Sequence, residues 1–215
     1  MGKNDLVIDI GSGDKPFWRG DVFFDNLSLS NNQRINRTET VHSLGTFVNG
    51  DIIKTPFKDK AFDFSFCSHV LEHVKRPDLA IKEIMRISKR GYIESPNGLV
   101  ESIYPFQSHL WFVYFYKKKL IFVSKSKKMH EILSNNGVSY AYIIPSIRDP
   151  FIRLYWNQNI EYEIYNEVKK GQEFNVETQK PDTDGDKENN YLYFVKFMRT
   201  VFRRNKNVNV SSLLK

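Results

Sequence analysis

Apolar and β-branched residues fall in short runs through the first hundred positions, and each run ends at a turn-forming or acidic residue. Leu6–Ile10 is apolar except for Asp9, the pattern of a strand buried on both faces, and it breaks at Gly11-Ser12-Gly13. Val22–Phe24 is a second run and ends in Asp25. Phe47-Val48 leads into a turn at Asn49-Gly50 and then Asp51. Phe62–Cys67 reads as a fourth strand, and Gly91–Glu94 as a fifth, stopped by Ser95-Pro96-Asn97-Gly98. Between the last two, Pro77–Lys89 reads as a helix. Leu79, Ile81, Ile84, Met85 and Ile87 form its apolar stripe, Pro77 and Asp78 suit its first turn, and Lys89-Arg90-Gly91 suits its end. Strands separated by crossover segments predict an α/β fold with a doubly wound, mostly parallel sheet.

The second half is less regular. His109–Tyr116 and Leu120–Val123 flank Lys117-Lys118-Lys119, a pattern for an aromatic hairpin. Lys127–Asn136 reads as a helix ended by Gly137. Ile160–Ile164 alternates with period two, as a half-exposed strand does. Tyr191–Phe197 is β-rich, while Phe194, Val195, Phe197, Met198, Val201 and Phe202 share one helical face. The reading is a strand running into a short helix, which would add an antiparallel C-terminal strand. Asn166–Asn190 is polar. Its Pro181–Asp186 stretch loosely resembles a calcium loop, but the glycine comes early and the closing glutamate is missing, so it reads as a solvated loop.

At 215 residues with 40% hydrophobic content, one domain with a sizeable core is expected. We divide it into a cofactor-binding half, residues 1–100, an acceptor-side half with a lid, residues 101–198, and a basic tail, residues 199–215. No apolar run is long enough to span a membrane. The opening Met-Gly-Lys-Asn-Asp resembles neither a secretion signal nor a transit peptide. Cys67 is the only cysteine, which excludes an intrachain disulfide and a cysteine-rich zinc site, and a cytoplasmic setting is expected. No metal centre is expected. The formal charge of +7 resides mostly in the second half, and Lys117–Lys128 and Lys196–Lys215 contain no acidic residue. These stretches are either solvated surface or a source of attraction for anionic substrates, nucleic acid or membrane headgroups.

Candidate chemistry centres on the glycine turn. In a doubly wound sheet, ligands sit beyond the carboxyl ends of the strands where strand order reverses. An acid ending the second strand can accept from both ribose hydroxyls, and Asp25 is placed for it. An acid ending the third can meet an adenine amino group, and Asp51 is placed for it, with Ile52 packing on the ring. A dinucleotide site would want a third glycine and a later acid, and both are missing. No Gly-Lys-Ser/Thr follows, which excludes a P-loop. A nucleoside without pyrophosphate fits better.

Val7-Ile-Asp-Ile-Gly-Ser-Gly13 resembles motif I of the class I S-adenosylmethionine-dependent methyltransferases. Asn49-Gly-Asp-Ile52, Thr55-Pro-Phe57 and Ala61-Phe-Asp-Phe64 resemble the same family's third and fourth strand region. Ser68-His-Val-Leu-Glu-His-Val74, with Arg76-Pro77 and Ala80-Ile-Lys-Glu-Ile84, resembles a signature of its ubiquinone/menaquinone-type subgroup. The resemblance covers residues 5–97 and implies a Rossmann-like fold. It implies that Asp9, Gly11, Ser12 and Gly13 shape a pocket for the methionine part of S-adenosylmethionine, and that Asp25 holds ribose. It further implies that Asp51 and Ile52 hold adenine, and that Ser68 and His69 border the sulfonium and the acceptor. Asp9 bracing the loop and Asp51 capping a turn remain open as alternatives. The seven residues Asp14–Gly20 leave room for one or two turns of the usual first helix.

His69 is a candidate general base or substrate contact. His73, one turn further, is either structural or a second candidate, and Glu72 would cap or hydrogen-bond locally. His109, in an aromatic segment, is an acceptor-site candidate. Tyr104, Phe106, Trp111, Phe112, Tyr114 and Phe115 form either a lid over the cleft or an ordinary hydrophobic hairpin. Pro96-Asn97 stands where amine-methylating relatives carry an Asn/Asp-Pro-Pro-aromatic motif, which is absent. The expectation is methyl transfer to a small molecule such as a sugar or glycan precursor, lipid or secondary metabolite, with O-methylation favoured. RNA or protein methylation and a non-catalytic cofactor-binding partner protein are the alternatives, and nucleic acid is the less expected partner. Peripheral membrane contact through the basic tail stays open, as does oligomeric state.

Overall fold

The computed structural model describes residues 1–13, 15–26, 45–103, 105–125, 149–166 and 208–215. The expected helix at Lys127–Asn136, the strand–helix segment from Tyr191, nearly all of the polar Asn166–Asn190 loop and residues 199–207 of the tail lie outside the described residues. So does Tyr104.

The first five predicted strands all form. They are β1 (Val7–Ile10), β2 (Val22–Asp25), β3 (Thr46–Asn49), β4 (Phe62–Ser68) and β5 (Ser88–Pro96). A sixth member of the sheet, β8 (Phe151–Asn157), was not apparent from sequence. The order is β3-β2-β1-β4-β5-β8, parallel throughout except that β8 runs antiparallel to β5. Strand order therefore reverses between β1 and β4, the crevice where open α/β sheets bind ligands. The fold is α/β and Rossmann-like, with the antiparallel strand supplied by β8.

Helix α1 (Pro77–Ile87) starts on Pro77 with Asp78 in its first turn. Its face of Ala80, Ile81, Ile84 and Ile87 is fully buried against the sheet, while Leu79 and Met85 sit at the margin. Burying each of the isoleucines stabilises the fold by about 1.5–3 kcal/mol. The helix ends two residues earlier than predicted because Ser88 turns to φ −125°, ψ 152° and opens β5 directly.

The opposite face of the sheet is covered differently. No helix separates β1 from β2 among the described residues. Phe17 of the connecting loop stacks instead on Phe66 of β4, with ring centroids 4.1 Å apart and planes 7° from parallel. It lies over a small cluster of Val7, Phe64 and Tyr92. The expected one or two helical turns are replaced by this aromatic plug.

A second, three-stranded sheet follows. The predicted hairpin forms as β6 (Trp111–Tyr116) and β7 (Lys119–Ser124), joined through Lys117-Lys118 at φ +48° and +63°. Both central residues at positive φ make this the primed turn that matches strand twist, here without the usual glycine. β9 (Glu161–Tyr165), the predicted period-two strand, adds to β7 in parallel. A short helix, α2 (Gly98–Ile103), links the sheets. Val208–Lys215, part of the expected tail, lies against the β3 side of the domain. Leu214 pairs with Phe57, the Lys215 N–H donates to the Pro56 carbonyl at 2.8 Å, and Val208, Val210, Leu213 and Leu214 pack on the core.

Candidate active site

The glycine turn is set by backbone conformation. Gly11 and Gly13 adopt φ +70° and +48°, in the region that side chains with a Cβ resist. A Cβ on Gly11 would come within 2.2 Å of Val70 Cγ2, so the turn also needs the space glycine leaves. The Gly11 N–H donates to the Phe24 carbonyl at 2.7 Å, and the Gly13 N–H donates to Asp25 Oδ2 at 2.8 Å. Asp25 Oδ1 accepts from the Asn26 N–H at 2.6 Å. The acid ending β2 is thus bound to the loop that follows the adjacent strand β1.

Asp9 braces the far limb, where its Oδ2 accepts the Phe17 N–H at 2.7 Å. Burial raises the Asp9 pKa to about 7 against the opposing effect of that hydrogen bond, and the charge of Asp25 adds to the rise. Ser12 is buried, and its Oγ has no hydrogen-bond partner among the described residues. A buried unpartnered hydroxyl costs about 1–3 kcal/mol, a cost that a polar ligand atom at this turn would offset. A Cβ on Gly13 would meet nothing closer than 3.7 Å, so the loop is open on that side. The turn therefore fits a small polar group of the kind S-adenosylmethionine carries at its methionine end.

Asp51 is exposed, and its Oδ1 accepts the Ile53 N–H at 3.1 Å, the turn-capping arrangement. Ile52 belongs to the main core at 8% exposure, so its side chain is occupied by packing. Both lie just beyond the carboxyl end of β3.

His69 follows β4 immediately and adopts φ +56°. A non-glycine residue held there stores local strain of about 1–3 kcal/mol, and such strain clusters at functional sites. Its Nδ1 lies 3.2 Å from Glu72 Oε1 and its Nε2 lies 3.5 Å from Glu94 Oε1. Burial alone would lower its pKa, but the hydrogen bonds to both carboxylates reverse this and push it up to about 9. At neutral pH the ring is an imidazolium. It suits a substrate contact or electrostatic role better than proton abstraction.

Glu94 is the hub of this cluster. It accepts from Ser68 Oγ at 3.0 Å, Tyr92 OH at 2.6 Å and Arg153 Nε at 2.9 Å. Burial works against its ionisation, yet hydrogen bonds from His69 and Tyr92 bring its pKa down to about 2. Arg153 also donates to Asp149 Oδ2 at 2.6 Å. Glu72 is buried at 1% exposure, with Ser95 Oγ donating to its second oxygen at 3.0 Å. It is a central anchor, more than a local cap.

The other two candidate histidines, His73 and His109, fall together beside Glu72. The rings of His73 and His109 meet edge to face with centroids 4.6 Å apart. Sequence reasoning brought Ser68 and His69 to the cleft edge but missed Tyr92, Glu94 and Arg153. The alternation of Tyr92 and Glu94 on one face of β5 was a usable signal. Nothing local to Arg153 announces its partner 59 residues away. A groove of about 560 Å³ lined by Lys75, Arg76, Trp111 and Tyr162 lies at the start of α1 and shares no residue with the glycine turn or the His69 cluster.

Residues 21–93, from the approach to β2 through most of β5, match the family model described as "Methyltransferase domain". The chain is 26% identical over 110 residues to the ubiquinone/menaquinone biosynthesis C-methyltransferase UbiE of Ruegeria sp. (strain TM1040). That match spans 48% of this chain and 38% of the relative's length. Among solved structures, a protein of Pyrococcus horikoshii OT3 is similar at 18% identity and a TM-score of 0.40, over 61% of this chain and 71% of that one. A SAM-dependent methyltransferase of Methanosarcina mazei is similar at 21% identity and a TM-score of 0.39, over 54% and 69%. The family match and the parallel part of the sheet coincide on one stretch, and the segment from Asp21 to Ile93 is similar to a methyltransferase domain.

Proposed function

We propose that this protein is an S-adenosylmethionine-dependent methyltransferase acting on a small-molecule acceptor, with oxygen as the favoured acceptor atom. The observation that carries the reading is the glycine turn at the sheet's switch point, closed by Asp25, with His69 at positive φ directly after β4, the neighbouring strand across that point. Asp25, which ends β2 and accepts the Gly13 N–H of the turn, would accept from ribose hydroxyls. Ser12 Oγ and the open side of Gly13 would receive the methionine end. Asp51 would lie at the adenine edge. When bound, the cofactor supplies a methyl group already activated on a sulfonium.

The chain's own task is then to position the acceptor and exclude water. His69, fixed by Glu72 and Glu94, would donate to the acceptor and set its approach. The missing Asn/Asp-Pro-Pro-aromatic motif at Pro96-Asn97 argues against amine methylation of a nucleic-acid base. Among the described residues no helix is long and apolar enough to cross a membrane.

Calorimetric titration with S-adenosylmethionine and S-adenosylhomocysteine tests the cofactor, and we expect saturable binding that is lost in Asp25→Ala. Absence of binding by the intact chain overturns the reading. Release of S-adenosylhomocysteine across a panel of hydroxylated small molecules tests the acceptor. Strong salt-sensitive retention of RNA with methyl incorporation would replace the small-molecule assignment with a macromolecular one.

A further inference from the structure

Glu72, His73 and His109 each present a metal-ligating atom, and the three atoms lie within 4.8 Å of one another. We infer that they form a binding site for one divalent transition-metal ion of the zinc class. This departs from the sequence expectation of no metal centre, and it stands whether or not the glycine turn takes S-adenosylmethionine.

The donor set selects the metal. Two imidazole nitrogens and one carboxylate suit zinc and its first-row neighbours, while magnesium and calcium prefer oxygen alone. Three protein ligands leave a fourth position for water, the open form of such sites.

The surroundings prepare both rings for this task. His73 Nδ1 lies 3.1 Å from the Ser108 carbonyl, which can only accept, so that nitrogen carries the proton. His109 Nδ1 lies 2.9 Å from Glu101 Oε2. In each ring the lone pair is thereby left on Nε2. A carboxylate or carbonyl behind each histidine is the outer arrangement that orients metal-bound imidazoles. Glu101 is itself fixed: it is 2% exposed, pairs with Lys125, and accepts the Phe106 N–H at 2.8 Å. Holding a buried glutamate and lysine together solely to aim one histidine is costly unless the ring has a ligand to meet. Glu72 retains acceptor capacity beyond His69 and Ser95.

The site would join two layers. Glu72 and His73 belong to the single 3-10 turn Leu71–His73 after β4, and His109 precedes β6 of the second sheet. The Leu110 N–H already donates to the Glu72 carbonyl at 2.7 Å along this seam. A metal ion there would lock the second sheet onto the His69 end of the first.

The test is titration of the full chain, stripped with a chelator, with Zn²⁺ and with Co²⁺ as a spectroscopic probe. We expect one equivalent bound with a dissociation constant below about 1 µM, a higher melting temperature with metal, and visible Co²⁺ bands. His73→Gln and His109→Gln should each abolish stoichiometric binding, and Glu101→Gln should weaken it 10- to 100-fold through loss of ring orientation. Unchanged affinity in both histidine variants overturns the site, as does failure of the intact chain to bind. X-ray absorption of the zinc-loaded wild type decides the matter independently of variant folding. Scattering from two imidazoles supports the site, and a spectrum without them refutes it.

Discussion

Replacing Gly11 with alanine tests the central geometric claim, that the turn after β1 exists because a glycine is packed against Val70. Two effects add. Holding a residue with a Cβ at φ +70° costs about 1–2 kcal/mol. The new methyl would lie 2.2 Å from Val70 Cγ2 and 3.4 Å from Val70 Cβ, an overlap that costs about 1–3 kcal/mol to relieve. Val70 cannot simply rotate away, because a β-branched side chain has few rotamers and its neighbour His69 is pinned by its N–H to the Glu94 carbonyl at 3.0 Å. The expected total is about 2–5 kcal/mol, a large share of the stability of an ordinary domain. Val70→Ala removes the obstruction and leaves the dihedral strain. The double variant should therefore recover about 1–3 kcal/mol relative to the sum of the single changes. Urea unfolding of all four proteins gives the cycle directly, provided the m-values agree. Additivity within about 0.5 kcal/mol, or a Gly11→Ala cost below about 1 kcal/mol, would show that Val70 does not press on this turn.

Three further outcomes follow from named interactions. Asp25→Asn should reduce cofactor affinity about 10- to 100-fold by calorimetry, since charge-assisted hydrogen bonds from Gly13 and the ribose would both weaken; unchanged affinity would remove Asp25 from the site. Asp9→Asn keeps an acceptor for the Phe17 N–H but removes the ionisation whose folded pKa, about 7, lies above the unfolded 3.8. The folded wild type holds a proton that the unfolded chain releases between those values, so its stability falls as pH rises through that window. The variant should gain on it by up to about 4 kcal/mol above pH 7, and superimposable stability curves from pH 4 to 8 would refute this. Glu83 has the opposite sign. Burial would raise its pKa, but hydrogen bonds from Arg86 and Thr55 hold it at about 2, so its contribution is present above the unfolded 4.5 and lost as pH falls through about 2. Glu83→Gln should cost about 1–2 kcal/mol near neutral pH after solvent screening and nothing measurable in strong acid, checked by thermal melts.

The parallel strands were legible because a strand buried on both faces writes itself as an apolar run, and Val7–Ile10 and Val22–Asp25 are such runs. α1 was legible from its period. β8 was not, because both of its faces carry large side chains. Ile152 and Trp156 enter the core, while Arg153 and Tyr155 on the other face serve Glu94 and Tyr92 across the sheet. A strand whose outward face is committed to tertiary partners loses the polar alternation that local reading depends on. The replacement of the first helix by Phe17 was half legible. The short spacing announced a missing helix, but only the stack on Phe66 shows what fills its place.

The site divides along the same line. Gly11, Gly13 and Asp25 are held by local backbone and adjacent strand ends, so the turn and its neighbouring acid could be read from spacing. His69 was locatable as the residue after β4, but its character was not, because character comes from partners distant in sequence. Glu94 lies 25 residues on, and Arg153 reaches that carboxylate from β8. Sequence left His69 as either a general base or a substrate contact, on the ordinary titration range of histidine. Two carboxylates invert that protonation state and turn a proton acceptor into a donor. His73 and His109 repeat the lesson. They stand 36 positions apart and looked like separate candidates, until the seam between the sheets placed their rings against each other. Where function depends on one element, the chain spells it. Where function depends on what two layers bring face to face, the side chains acquire their chemistry only on folding.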